Sequence, residues 1–191
     1  MNDDANSLPA EADKPTSEVT NNKRRWLFGG LAVLATLLAW NATVYVPVSS
    51  ALSEEDSHSL VAYRSWFVSP STIVLDVRDV DMNGSMADMD RLLFKAAEAL
   101  KDRQYDTVVL AHNGTGRFIV DGAHFQDVGQ SYSYQNPVYL MRTFTENVSN
   151  MDGTPAFGTW TGGWLGVLGE QLNDHNEFHQ EWWVRPSMGL D

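Results

Sequence analysis

Between Trp26 and Val46 the chain reads WLFGGLAVLATLLAWNATVYV, 21 residues without a charge. As a helix rising 1.5 Å per residue this stretch is about 31 Å long, the thickness of a bilayer's hydrocarbon core. Aromatic side chains, Trp26 and Tyr45, stand at its two ends, where interfacial anchors belong. Lys23, Arg24 and Arg25 precede it, and the next charges after it are Glu54, Glu55 and Asp56. The positive-inside rule therefore predicts a single-pass span in a cytoplasmic (inner) membrane, N-terminus inside and residues 49–191 outside. A cleaved signal peptide is the competing reading, with Ser49-Ser50-Ala51 as the cleavage region, but its apolar core is usually 7–15 residues long. Asn41, the one strongly polar residue in the stretch, is expected to meet headgroups or water near the outer end.

The span divides the chain. Residues 1–22 are polar and acidic, lack aromatic side chains, and are expected to be a disordered cytoplasmic tail. Residues 23–48 form the anchor, with Pro47 ending its helix. A juxtamembrane segment, 49–70, and an extracytoplasmic domain, 71–191, follow. After residue 48 there are twenty acidic and nine basic side chains, which opposes nucleic-acid binding and adhesion to anionic lipid. The chain has no cysteine, so it has no disulfide and no thiolate chemistry. A domain of this length buries enough surface to fold without such staples. Exported yet cysteine-free, it fits a bacterial envelope.

Hydrophobic periodicity predicts the elements. Leu60, Val61, Arg64 and Phe67 follow a helical stripe over 54–67. Residues 72–80 (TIVLDVRDV) read as a strand and 86–102 as an amphipathic helix capped by Ser85, with Asp88 three residues on. Residues 107–112 and 117–120 flank Asn113-Gly114 as a β-hairpin. A helical turn is expected within 123–136, a strand over 138–144, a polar loop over 145–154, and a helix from Pro155 to about Val184. A hairpin with two long helices points to an α+β, two-layer domain with a mainly antiparallel sheet of about four strands. In the last helix Gly158, Gly162 and Gly166 recur every four residues, with Trp160, Trp164, Leu168 and Leu172 alongside. Glycine costs about 1 kcal/mol relative to alanine in a helix. The stripe is expected to allow close backbone packing, within the domain or against a second copy in a homo-oligomer.

Two groups of residues suggest metal chemistry. DVDMNGSMADMD places Asp79, Asp81, Asn83 and Asp90 at the first, third, fifth and twelfth positions of a calcium loop, with Gly84 at the sixth. The same residues also make an ordinary turn and helix cap. His175 and His179, four apart on a helix, share a face and can chelate a metal, given a third ligand from His124 or an aspartate. No HExxH, GxSxG or phosphate-loop signature occurs in the sequence. The sequence therefore predicts a membrane-anchored envelope protein whose exported domain is a binding or assembly module for another envelope protein. The alternatives are a metal-dependent extracytoplasmic hydrolase and a calcium-binding domain.

Overall fold

The structure, a computed structural model, describes residues 18–53, 55, 60–78, 80 and 84–190, with side chains from residue 25. The chain divides into two compact units, residues 1–36 and 37–191. The first is helical over its described residues, 18–36. The tail expected over 1–22 lies outside the described residues up to 17, and 18–22 begin helix α1, Glu18–Ala51. This helix is long and apolar enough to cross a membrane from Arg25 onward, as expected of a single-pass anchor and equally of a signal sequence.

The second unit starts inside α1, well upstream of the boundary expected at residue 71. Pro47 lies within the helix and does not end it. The reason is packing: Val44, Val48 and Leu52, four apart, are all buried in the core. Burying a branched side chain is worth about 1.5–3 kcal/mol, so three of them outweigh the roughly 3 kcal/mol cost of an interior proline. Asn41 is also buried and does not meet water. Its amide donates to Phe67 O (2.7 Å) and Leu37 O (3.0 Å), and its Oδ1 accepts from Arg64 N (3.0 Å).

A five-stranded sheet has the order β1-β2-β3-β4-β5. The strands are β1 Leu60–Arg64, β2 Thr72–Val77, β3 Thr107–His112, β4 Thr115–Asp121 and β5 Val148–Asn150. β2 and β3 run parallel, joined by helix α2, Met86–Leu100; the other pairs are antiparallel. The result is a mixed α+β fold with one more strand than expected. Paired residues Ala62, Leu75, Leu110 and Phe118 mark its buried face, with Ile73, Val77, Val108 and Val120 around them. The β3–β4 hairpin turns at Asn113 (φ 48°) and Gly114 (φ 81°), the left-handed pair that a two-residue turn requires. Asp76, fully buried on β2, fastens that turn by accepting from Gly114 N (2.9 Å) and pairs with Arg78 (2.7 Å).

Helix α2 starts as its sequence predicts. Ser85 and Asp88 form a reciprocal capping box, each side chain accepting from the other's backbone N–H at 3.2 Å. α3, Gly122–Ser131, fills the region expected to hold a helical turn.

Four assignments change. The helix expected over 54–67 is strand β1 followed by a 3₁₀ turn, Ser65–Phe67. Positions four apart share a face in a helix and in a strand alike. The Leu60–Arg64 spacing fits both, and pairing with β2 decides. The strand expected over 138–144 is helix α4, Pro137–Phe144. Asn136 caps it, Pro137 sits in its first turn, and Leu140 and Phe144 form its buried side. The loop expected over 145–154 contributes edge strand β5. The last helix, α5, begins only at Trp164 and runs to His179. Gly158 and Gly162 therefore precede it and line no helical stripe; Gly162 has φ 137°. Among the described residues a Cβ on Gly162 or Gly166 meets nothing within 4 Å, whereas one on Gly158 would lie 3.2 Å from the Trp160 ring, so the glycines share no backbone contact. Gly129 on α3 is the opposite case: a Cβ there lies 2.3 Å from Ala97 O of α2.

Gly129→Ala should force α3 away from α2 and destabilise the fold by about 1–3 kcal/mol, the usual cost of overpacking. Gly169→Ala, in open space on α5, should stabilise it by up to about 1 kcal/mol. Melting curves of the detergent-solubilised chain check the opposite signs.

Candidate functional site

Helices α2 and α5 meet at a polar cluster enclosed by apolar side chains. Phe178, fully buried on α5, seats the helix, with its ring 5.5 Å from Phe118, 5.7 Å from Phe144 and 5.3 Å from Trp182. This anchors the last turn of α5 and turns His175 and His179 toward Asp90, in the second turn of α2. His175 Nε2 lies 2.8 Å from Asp90 Oδ2, and His179 Nε2 lies 3.0 Å from Asp90 Oδ1. The two Nε2 atoms are 3.2 Å apart. His179 and Asp90 are buried and His175 is half-buried. α5 continues without a break into a π-helical turn, Gln180–Val184, which carries two buried tryptophans. Trp182 donates to Ala111 O (3.1 Å), and Trp183 Nε1 donates to His179 Nδ1 (2.8 Å).

The Trp183 bond fixes the protonation of the site. An indole N–H only donates, so His179 Nδ1 must present a lone pair. A neutral His179 then carries its proton on Nε2 and gives it to Asp90. Burial, the largest effect, pushes the His179 pKa down and favours the neutral ring, and the Asp90 carboxylate opposes it only in part. Burial would raise the Asp90 pKa, but hydrogen bonds from His175 and His179 outweigh it and hold the carboxyl below its ordinary value. The cluster is a proton-ordered chain from Trp183 through His179 to an ionised Asp90, with His175 on the other carboxylate oxygen.

Both sequence-predicted groups converge on this place. His175 and His179 come together as a pair, and Asp90, from the loop motif, joins them. Their ligand atoms lie close enough together for one ion. Asp79, Asp81 and Asn83 lie outside the described residues. Asp90 has both oxygens engaged by the histidines. His124 stands on α3 with its ring 5.9 Å from Phe144. Sequence reasoning missed Trp183, whose only signal was its place four residues after His179. It also missed the contact of Ser187 Oγ with His112 Nε2 (3.1 Å), which ties the end of the C-terminal helical run to the end of β3.

Acid should weaken the fold in two windows. His179 and His124, both held below their ordinary value of 6.5 with burial the main cause, resist protonation in the folded state. Unfolded, they take up protons as pH falls through 6.5, so stability drops from there down to their depressed folded values. Asp90 stabilises the fold above its unfolded pKa of 3.8, and this is lost as pH falls through its lower folded value. Denaturant titrations between pH 7.5 and 5 should show the first window (about 7.5 and 5 bracket the histidine range). His124→Gln should remove only part of it, and Asp90→Asn should cost about 1.5–3 kcal/mol at neutral pH.

No family model, curated protein or solved structure matches this chain.

Proposed function

We propose that this chain is a single-pass protein of a bacterial inner membrane, with its N-terminus in the cytoplasm. Its exported domain works by contact, binding or assembling with another envelope protein. The observation that carries the reading is a bare apolar strip at the start of α5. From Thr154 to Gly169 the chain has no charged residue. All of 158–166 is exposed, Trp164 at 71% and Leu165 at 68%. Trp160 Nε1 donates to Asp174 Oδ2 (2.6 Å), which pins the preceding segment against α5. A contiguous exposed apolar surface of this kind is the usual mark of a protein interaction site. The surrounding acidic surface favours solubility and restricts which partners approach.

The topology rests on Lys23, Arg24 and Arg25 beside the span. Protease added to spheroplasts should digest the domain and spare a tag at residue 1; loss of the tag instead overturns the orientation. A photo-crosslinking side chain at Leu165 should capture one discrete envelope protein in intact cells, and the same group at exposed Asp152 should capture none. Adducts of the chain with itself would point to a homo-oligomer. Absence of any Leu165-specific adduct would overturn the contact reading.

Metal-assisted hydrolysis is the second reading, favoured by the 2.8–3.2 Å spacing of the cluster's atoms. Tetrahedral ligands about 2.1 Å from one zinc ion lie roughly 3.4 Å apart, a few tenths of an ångström more than here. Against it stands the Trp183 bond. A metal on His179 Nε2 requires the proton to move to Nδ1, where it would face the indole N–H. Zinc ligands normally donate that second N–H to an acceptor. The His–Asp cluster therefore serves as a clasp between α2 and α5. Calorimetry with zinc should show no binding at this site in the wild type. Trp183→Phe removes the opposing donor and should permit binding that His175→Ala abolishes. Tight, His175-dependent binding in the wild type would reinstate the metal reading.

A further inference from the structure

The 3₁₀ turn after β1 displays Trp66, Phe67 and Val68 to the outside, exposed at 89%, 56% and 57%. Trp66 (φ 53°) and Phe67 (φ 61°) both sit in left-handed backbone conformations, which bulky aromatic residues rarely adopt. The geometry keeps two large rings outside the core. The turn is also fastened to one place on α1. Phe67 O accepts from Asn41 Nδ2 (2.7 Å), and Arg64, buried, donates its Nε to Trp40 O (3.3 Å) and stacks 4.0 Å above the Trp40 ring. Asn41 lies five residues before Val46, where the apolar stretch ends at Pro47, or about 8 Å along the helix. The exposed turn thus stands beside the outer end of the apolar helix face, where Leu38, Trp40, Tyr45 and Val46 are themselves exposed.

We infer that Trp66, Phe67 and Val68 insert into the outer interface of the bilayer that α1 crosses, forming a second membrane contact that fixes the domain's tilt. Lipid is favoured over a protein occupant because the turn is uncharged and continues the exposed apolar face of α1. Five carbonyls in and just after the turn are also met from within, which lowers the cost of approaching an apolar phase. Here Ser65 O accepts from Ser69 N (3.0 Å) and Phe67 O from Asn41. Ser69 O and Pro70 O accept from the Arg64 guanidinium at 3.3 and 2.8 Å, and Ser71 O accepts from Asp106 N at 2.8 Å. Residues 65–72, SWFVSPST, carry no charge. Tryptophan is enriched at this membrane level. The acidic excess elsewhere does not oppose insertion, since no acidic side chain belongs to the turn.

This inference rests on the anchored reading, and one experiment tests the two separately. The chain lacks cysteine, so Val68→Cys, Leu38→Cys and Asp152→Cys each carry a single nitroxide label. The full chain is reconstituted in phosphatidylethanolamine–phosphatidylglycerol vesicles, and relaxation by oxygen and by a water-soluble nickel chelate is compared. The label at 68 should resemble that at 38, with oxygen accessibility several-fold above nickel accessibility relative to the label at 152. If 38 reports lipid while 68 resembles 152, the insertion is wrong and the anchor stands. If 68 is shielded from both reagents, protein covers the turn and the insertion is again wrong. If 38 itself reports water, the anchored reading fails. Cooperative melting of each labelled chain confirms that it is folded.

Discussion

Arg64 is a buried cation, and the way its charge is met holds the domain to its helix. Its guanidinium reaches Trp40 O, Ser69 O, Pro70 O and Thr43 Oγ1, and it lies over the Trp40 ring. Taking such a charge out of water costs several kcal/mol unless its donors are satisfied. The fork geometry of arginine satisfies several carbonyls at once, which a lysine does not. The bonds require that α1, the end of β1 and the turn before β2 be placed together. Asn41 completes the arrangement from the helix side. Once these are in place Val44, Val48 and Leu52 fall into the core, and the helix continues through Pro47.

The second clasp lies between α2 and α5 and is also polar at its centre. Asp90 sits beneath two imidazoles, and the proton on His179 is placed by one obligate donor, Trp183. A satisfied network of this kind is worth more in a low-dielectric interior than on the surface, and is correspondingly intolerant of losing a member. The same three ligand atoms have the spacing of a metal site. Ligand spacing alone does not separate a metal centre from a hydrogen-bonded clasp; the outer hydrogen bond to His179 bears on the choice because it assigns the lone pair on Nδ1.

These constraints leave two apolar surfaces bare. One is the uncharged strip leading into α5, in which glycine keeps the surface low and tryptophan and leucine supply the contact area. The other is the aromatic turn beside the apolar helix. Their chemistry differs. The turn is uncharged and adjoins the exposed apolar face of α1; the α5 strip has open glycines, which a protein surface can approach closely.

Some of this was legible in the sequence because it is local. The Ser85–Asp88 capping box and the Asn113-Gly114 hairpin depend on neighbours within a few residues, and each appears where expected; the charge-free stretch is helical for the same reason, though its helix runs past Pro47. The His175–His179 pairing was legible for the same reason, since a helix places residues four apart on one face. What failed depended on distant partners. Leu60–Arg64 and Val138–Phe144 have spacings compatible with both strand and helix; a free sheet edge decided one and a cap with a proline the other. That Asp90 would meet two histidines 85 and 89 residues away was not written in any local pattern. Nor was the burial of Asn41 and Arg64: sequence identifies polar groups, but only the folded chain determines which of them lose water and what must then satisfy them.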